Sequence, residues 1–131
     1  MAIGRIRTGA RGEDVAAAWL EAHGLQVIAR RTRVAGVEVD IVAVDHAARA
    51  LAVVEVKTRR TALMPQAAEP RPEESLGCRQ LKRLARAAAA LGPVARGKGL
   101  SLRIDAVAVL LRRSGPSSVH HMRDVCSGPG S

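Results

Sequence analysis

Aromatic residues are almost absent from this chain of 131 residues, which has one tryptophan, Trp19, and no Phe or Tyr. Its core must therefore be built from Val, Leu, Ile and Ala. The same lack argues against a module that grips single-stranded nucleic acid, because such modules stack bases on aromatic rings. Cysteine is scarce as well. Cys78 and Cys126 are too few for a disulfide framework and form no CxxC pair. No HxxxH or HExxH spacing occurs, and the adjacent His120 and His121 would point to opposite faces of a strand, so a zinc site is not expected. No apolar run approaches the length of a membrane span. The basic start, MAIGRIRTGARGEDV, lacks the apolar segment of a signal peptide. A cytoplasmic protein with no membrane association is expected.

Basic residues are abundant. Lys and Arg number 21 against 12 acids, for a net charge of +9. That balance favours a polyanionic partner, nucleic acid first and an anionic membrane second. Only three of the basic residues are lysines, Lys57, Lys82 and Lys98. The length suits one domain with a real core.

The pattern along the chain is mixed. Residues 1–11 read as a basic, Gly-rich, mobile arm. EDVAAAWLEAH reads as a helix ended by Gly24. Its inward stripe would hold Ala16, Trp19, Leu20 and His23, with Glu13 on the Ala16–Ala17–Leu20 side. Three strands follow, LQVIARRTRV, VEVDIVAVD and LAVVEVKTRR, the last two joined by a short turn. Residues 61–75, with three prolines, read as a loop. A second helix carries Leu81, Leu84, Ala88 and Leu91 on one face and Arg79, Arg83 and Arg86 on the other, and Gly92-Pro93 should stop it. GLSLRIDAVAVLLRR is a fourth strand, SVHHMRDV a fifth, and 126–131 a frayed tail. No repeat and no second domain is evident.

The third strand poses a problem. Glu55 and Lys57 sit inside an apolar run, on one face of the strand. Glu38 and Asp40 share a face of the second strand. Removing an ionised group from water costs several kcal/mol unless it is compensated. An antiparallel hairpin turning between Ala47 and Ala48 sets Asp40 opposite Glu55, Glu38 opposite Lys57 and Val42 opposite Val53. Opposed Cα atoms lie about 4.5–5.5 Å apart, so the two carboxylates repel unless a proton or a cation lies between them. A hard divalent ion such as Mg²⁺ resolves the conflict. An interior ion network, with Glu38 and Lys57 as a pair, resolves it equally well. Glycosidase-type acid–base work lacks the aromatic cleft it normally uses.

Asp40 followed by Glu55-Val56-Lys57 matches the pattern of the PD-(D/E)xK nucleases, the restriction-endonuclease-like superfamily. The segments GARGEDVAAAWLEAHGLQVIARRTRVAGVEVDIVAVD, VVEVKTRR, RQLKRLARAAAAL, LRIDAVAV and VHHMRDV, in that order over nearly the whole chain, resemble the small bacterial YraN-type family. Val37 stands where that family usually has Gly, Val53 where Phe is common, and Arg79-Gln80 where Lys-Gln is usual. Arg103-Ile104-Asp105 also lacks the usual Phe. The charged positions are kept; the aromatic ones are not.

The resemblance implies a mixed α/β fold over 1–131, an αβββαβ core with a central mixed sheet flanked by helices. It also implies a relationship to Holliday-junction resolvases, hence a Mg²⁺- or Mn²⁺-dependent endonuclease acting on duplex or branched DNA in repair or recombination. On this reading Asp40, Glu55 and the Val56 carbonyl hold the metal, and Lys57 handles the attacking water. Glu13 holds a second metal or its waters, Glu38 positions Lys57, and Gln80 orients Glu55 or a water. Arg11, Arg59, Arg60, Arg79 and Arg83 meet backbone phosphates. A homodimer follows by analogy with junction nucleases. The alternatives are a catalytically silent nucleic-acid-binding protein of the same fold and an adaptor for an acidic protein.

Overall fold

The computed structural model describes residues 2–61 and 77–125. In chain order the elements are α1 (Ala2–Ala22), β1 (Leu25–Val34), β2 (Val37–Asp45), β3 (Ala50–Thr61), α2 (Cys78–Ala90), α3 (Gly92–Gly97), β4 (Ser101–Arg112) and β5 (Ser118–Met122). The strands form one mixed sheet in the order β1-β2-β3-β4-β5. Only β3 and β4 run parallel. That pair needs a crossover, and α2 and α3 lie within it. This is the expected mixed α/β architecture with helices flanking a central sheet.

Each connection has a local cause. Ala35 and Gly36 both have positive φ (52° and 77°), the signature of a two-residue hairpin turn between β1 and β2. Between β2 and β3, Asp45 Oδ1 accepts the Ala48 N–H at 3.1 Å and closes the turn. The resulting ladder runs from Asp45↔Ala50 to Ile41↔Val54, the register that a turn between Ala47 and Ala48 requires.

Two apolar layers cover the sheet. Ala16, Ala17 and Leu20 of α1 pack on Ile41, Ala43, Ala52, Val54, Val107, Val109 and Leu111. On the other side Leu84, Ala87 and Ala88 of α2 and Ala95 of α3 pack on Val37, Val39, Val42, Val44, Leu51, Val53 and Ile104. The layers contain almost no aromatic rings, as the composition requires.

Three expectations need correction. α1 begins at Ala2 rather than at Glu13, so the helix continues back through the basic arm. His23 is exposed; it lies against the half-buried Trp19 with ring centroids 3.7 Å apart instead of entering the core. Gly92-Pro93 ends α2 but also starts α3, with Pro93 in the first turn, where a missing N–H costs nothing. The expected loop beyond Thr61 and the tail from 126 lie outside the described residues.

Gly12 is where α1 meets β3. A Cβ added there would overlap the Thr58 side chain, lying 2.6 Å from its Cγ2 and 2.7 Å from its Cβ. The obstacle is a stiff β-branched side chain that cannot simply swing away. Gly12→Ala should therefore lower stability by about 1–3 kcal/mol, outweighing a helix-propensity gain of about 1 kcal/mol. Urea unfolding at neutral pH checks this, and an unchanged midpoint would refute the close approach.

Candidate active site at the splay of β2 and β3

Beyond Ile41↔Val54 the β2–β3 ladder stops, while β3 continues against β4 as far as Thr61↔Arg112. Asp40 and Glu55 would have been the next pair. Instead the Asp40 side chain turns into the ladder, and its Oδ2 accepts the Val56 N–H at 2.8 Å. The strand changes phase here. Val37 and Val39 pack in the α2 layer together with Val42 and Val44, whereas Ile41 and Ala43 pack in the α1 layer. Strict alternation forbids that, so Asp40 sits at an irregularity.

The two acids are close enough to perturb each other's ionisation. Burial, then the Asp40 charge, pushes the Glu55 carboxyl up to about 7, against the pull of Lys57 and Arg83. Burial also raises Asp40, opposed by the Val56 N–H and reinforced by the charges of Glu13 and Glu38. Gln80 of α2 donates from Nε2 to Glu55 Oε2. The Lys57 ammonium lies 3.8 Å from the same oxygen. The acids open onto a cleft of about 200 Å³ lined by Val37, Glu38, Asp40, Glu55, Gln80, Arg83 and Leu84.

The nominated residues therefore divide. Asp40, Glu55, Lys57 and Gln80 come together, and Val56 contributes its N–H to Asp40. Glu38 lines the cleft but makes no ion pair with Lys57 among the described residues, because the strands diverge before that level. Of the phosphate-binding candidates, Arg83 lines the cleft; Arg11, Arg59, Arg60 and Arg79 are exposed outside its lining. Glu13 is buried at 6% exposure and its oxygens are taken by arginines. Arg30 Nη2 lies 3.1 Å and Arg31 Nε 3.3 Å from Oε1, and Arg31 Nε also donates to Oε2 at 3.4 Å. Among the described residues no three His, Cys, Asp or Glu side chains converge as a metal cage.

A second buried charged cluster lies on the α1 side of the sheet, and the motif pattern gives it no role. Asp105 is fully buried. It receives Arg103 Nε at 2.9 Å, His121 Nε2 at 2.8 Å and the Asp124 N–H at 3.0 Å. Arg103 Nη2 reaches on to Asp45 Oδ2 at 3.0 Å. Burial works against ionised Asp105, but the hydrogen bonds from His121, Arg103 and Asp124 prevail and hold its carboxyl below the usual range. The His121 ring packs edge-on to Trp19, and its Nδ1 is buried without a partner among the described residues. The sequence signal is an acid inside the apolar run RIDAVAV, the same signal that Glu55 gives.

The acid pair has a pH signature. Between about 4.5 and 7 folded Glu55 holds a proton that the unfolded chain releases. The folded state binds more protons there, so stability falls as pH rises through this window. In metal-free buffer Glu55→Gln should remove that slope and leave the variant more stable at pH 8, by on the order of 2 kcal/mol. Parallel pH profiles for the two proteins would contradict a raised Glu55 carboxyl.

Among the described residues no helix is long and apolar enough to cross a membrane. Residues 12–109 match the model of the uncharacterised protein family UPF0102. A UPF0102 protein of Beutenbergia cavernae is 42% identical over 117 residues, spanning 89% of this chain and 93% of the relative. One of Arthrobacter sp. (strain FB24) is 38% identical over the same shares of the two chains. One of Geobacter sulfurreducens is 57% identical over a shorter stretch of 54 residues, 41% of each chain.

Proposed function

The chain belongs to the UPF0102 family, and on that footing we propose that it is a metal-dependent endonuclease of the PD-(D/E)xK, restriction-endonuclease-like kind, hydrolysing phosphodiester bonds of duplex or branched DNA. The observation that carries the reading is the pairing of half-buried Asp40 with buried Glu55, beside Lys57, at the mouth of a cleft. Two neighbouring acids, one of which burial and the other's charge keep protonated up to about 7, offer a ready site for a hard cation. Mg²⁺ commonly binds through one or two carboxylates and keeps several waters, so Asp40 and Glu55 are enough for it. Asp40, Glu55 and the Val56 carbonyl would hold Mg²⁺ or Mn²⁺. When bound, the metal would lower the pKa of a water and stabilise charge at phosphorus.

The protein's own groups do the rest. Gln80 fixes the rotamer of Glu55 from α2. Lys57, 40% exposed, reaches from the acid pair toward solvent, where it can hold the attacking water and offset phosphate charge. Arg83 offers a guanidinium to a backbone phosphate at the cleft wall, a contact that gives affinity without sequence choice. Trp19 stacks on His23 and meets His121, so it offers no free platform for a base. That favours duplex or branched substrates over single strands.

A DNA-binding protein without turnover is the second reading, favoured by the lack of three converging His, Cys, Asp or Glu side chains among the described residues. Incubation with Mn²⁺ and supercoiled, linear or four-way DNA separates the two. Nicking that EDTA stops is expected. Salt-dependent binding with no cleavage on any substrate would leave the binding reading and end the catalytic one.

A further inference from the structure

The helix α2 carries Arg79, Lys82, Arg83 and Arg86 and no acid. All four cations are exposed. At about 3.6 residues per turn they fall within an arc of about 100° on one flank of the helix. The buried Leu84, Ala87 and Ala88 occupy the neighbouring arc, and the other flank holds Leu81, Ala85 and Ala89, without charge. Arg83 identifies the cationic flank as the one beside the cleft, because it lines the cleft together with Asp40 and Glu55. Helix stability does not account for this row. Arg79–Lys82, Arg79–Arg83, Lys82–Arg86 and Arg83–Arg86 are like-charge pairs three or four residues apart, which weaken a helix. Arg79 stands in the first turn, at the positive end of the helix dipole, where there is no acid, and the last turn, where a cation would be favourable, has none. Among the described residues none of the four forms an ion pair that would offset these costs.

We propose that this flank of α2 seats one phosphate backbone of a DNA duplex: Arg79, Lys82 and Arg86 hold it alongside the cleft while Arg83 meets the phosphate at the mouth. The proposal rests on the reading that the ligand is duplex DNA, but not on turnover at the acid pair. From Arg79 to Arg86 the helix rises about 10 Å, the axial length of about three phosphates of one strand. Guanidinium forks match phosphate oxygens, and three of the four cations are arginines. The cleft itself presents Glu38, Asp40 and Glu55, acids that repel a phosphate, so affinity has to come from cations beside it. An anionic membrane fits this surface less well. Leu84 is buried against the sheet and no large apolar side chain of α2 is exposed, so the helix has nothing to insert among lipid chains.

The test is binding of a short labelled DNA duplex to the full chain in EDTA, read by fluorescence anisotropy over a series of salt concentrations. Log affinity of the wild type should fall linearly with log salt. Arg86→Gln should reduce the steepness of that line by about 1, and Lys82→Gln with Arg86→Gln by about 2, weakening binding about 10–100-fold near 0.1 M salt. Arg49→Gln, which removes an equal exposed charge at the turn between β2 and β3, should leave the line unchanged. Equal effects of Arg86→Gln and Arg49→Gln would reduce the attraction to net charge and overturn the proposal. The double variant relieves like-charge pairs, so its urea midpoint should not fall; a fall would give the row a structural role and also overturn the proposal. A wild-type salt line in the double variant would overturn it while Mn²⁺-dependent nicking, if present, left the nuclease reading standing. Loss of steepness without cleavage of any substrate would support the seat and remove turnover. Wild-type protein that ignores the duplex would end both the seat and the DNA reading, and its capture by phosphatidylserine vesicles would then name a membrane as the partner instead.

Discussion

Arg103→Ala should be the most damaging single substitution for stability, lowering it by about 3–5 kcal/mol at neutral pH. The guanidinium, 10% exposed, lies between two buried carboxylates, 3.0 Å from Asp45 and 2.9 Å from Asp105. It joins the ends of β2 and β4, and His121 and the Asp124 N–H extend the network to β5 and the segment after it. Removing the cation leaves two acids in an apolar layer with only neutral donors and a histidine. They would respond by taking up protons, so the loss should shrink on going from pH 7 toward pH 5. In wild type these two acids act in the opposite direction, and only below the ordinary carboxylate pKa of about 4. Asp45 and Asp105 titrate below their ordinary values, so the stability they contribute is present above the unfolded pKa and is lost as pH falls through the folded one. Urea unfolding of both proteins at pH 5 and pH 7 checks the magnitude and its shrinkage, since the Glu55 contribution is common to both and cancels in the difference. The cluster faces α1 while Gln80 meets Glu55 on the α2 side, so folded Arg103→Ala protein should keep its Mn²⁺ affinity.

How far the chain can be read in advance depends on which regularity each residue obeys. The β2–β3 register follows from a turn between Ala47 and Ala48, because strand alternation and hairpin closure allow few choices. The helix α2 follows from the spacing of its apolar stripe, in which Leu84 and Ala88 are buried. What stays hidden are the breaks in regularity. The pairing of Glu38 with Lys57 assumes that the ladder runs on past Ile41, but Asp40 turns inward to take the Val56 N–H and the strands part. No propensity places Arg31 in the left-handed region. Its φ is 47°, and its guanidinium meets Glu13 on α1, 18 residues earlier in the chain, a tertiary contact that no local pattern shows. Gly92-Pro93 carries a stop signal and a start signal in the same two residues, and the stop masks the start. The Arg103–Asp105 pair is visible as charges two apart in a strand, but joining it to His121 and Asp45 needs the β4–β5 register and the order of the sheet.

Asp40→Asn and Lys57→Met should each reduce Mn²⁺-dependent cleavage by about 10³-fold or more, corresponding to roughly 4 kcal/mol of lost transition-state stabilisation, yet move Glu55 in opposite directions. The amide introduced by Asp40→Asn keeps an oxygen for the Val56 N–H, so the splay of β2 and β3 should survive. The lost charge removes the second-largest influence raising Glu55, so Glu55 should titrate below 7 and stability above neutral pH should rise. Lys57→Met removes a charge that holds Glu55 down, so its carboxyl should titrate higher and stability above neutral pH should fall. Carbon-13 NMR of the Glu55 carboxyl in metal-free protein reads both shifts directly. Loss of cleavage with these opposite shifts would assign metal holding to Asp40 and water or phosphate handling to Lys57. A Lys57→Met protein that still cuts at a tenth of the wild-type rate would remove Lys57 from the chemistry. Its place at 3.8 Å from Glu55 would then be that of a counter-ion to a buried acid.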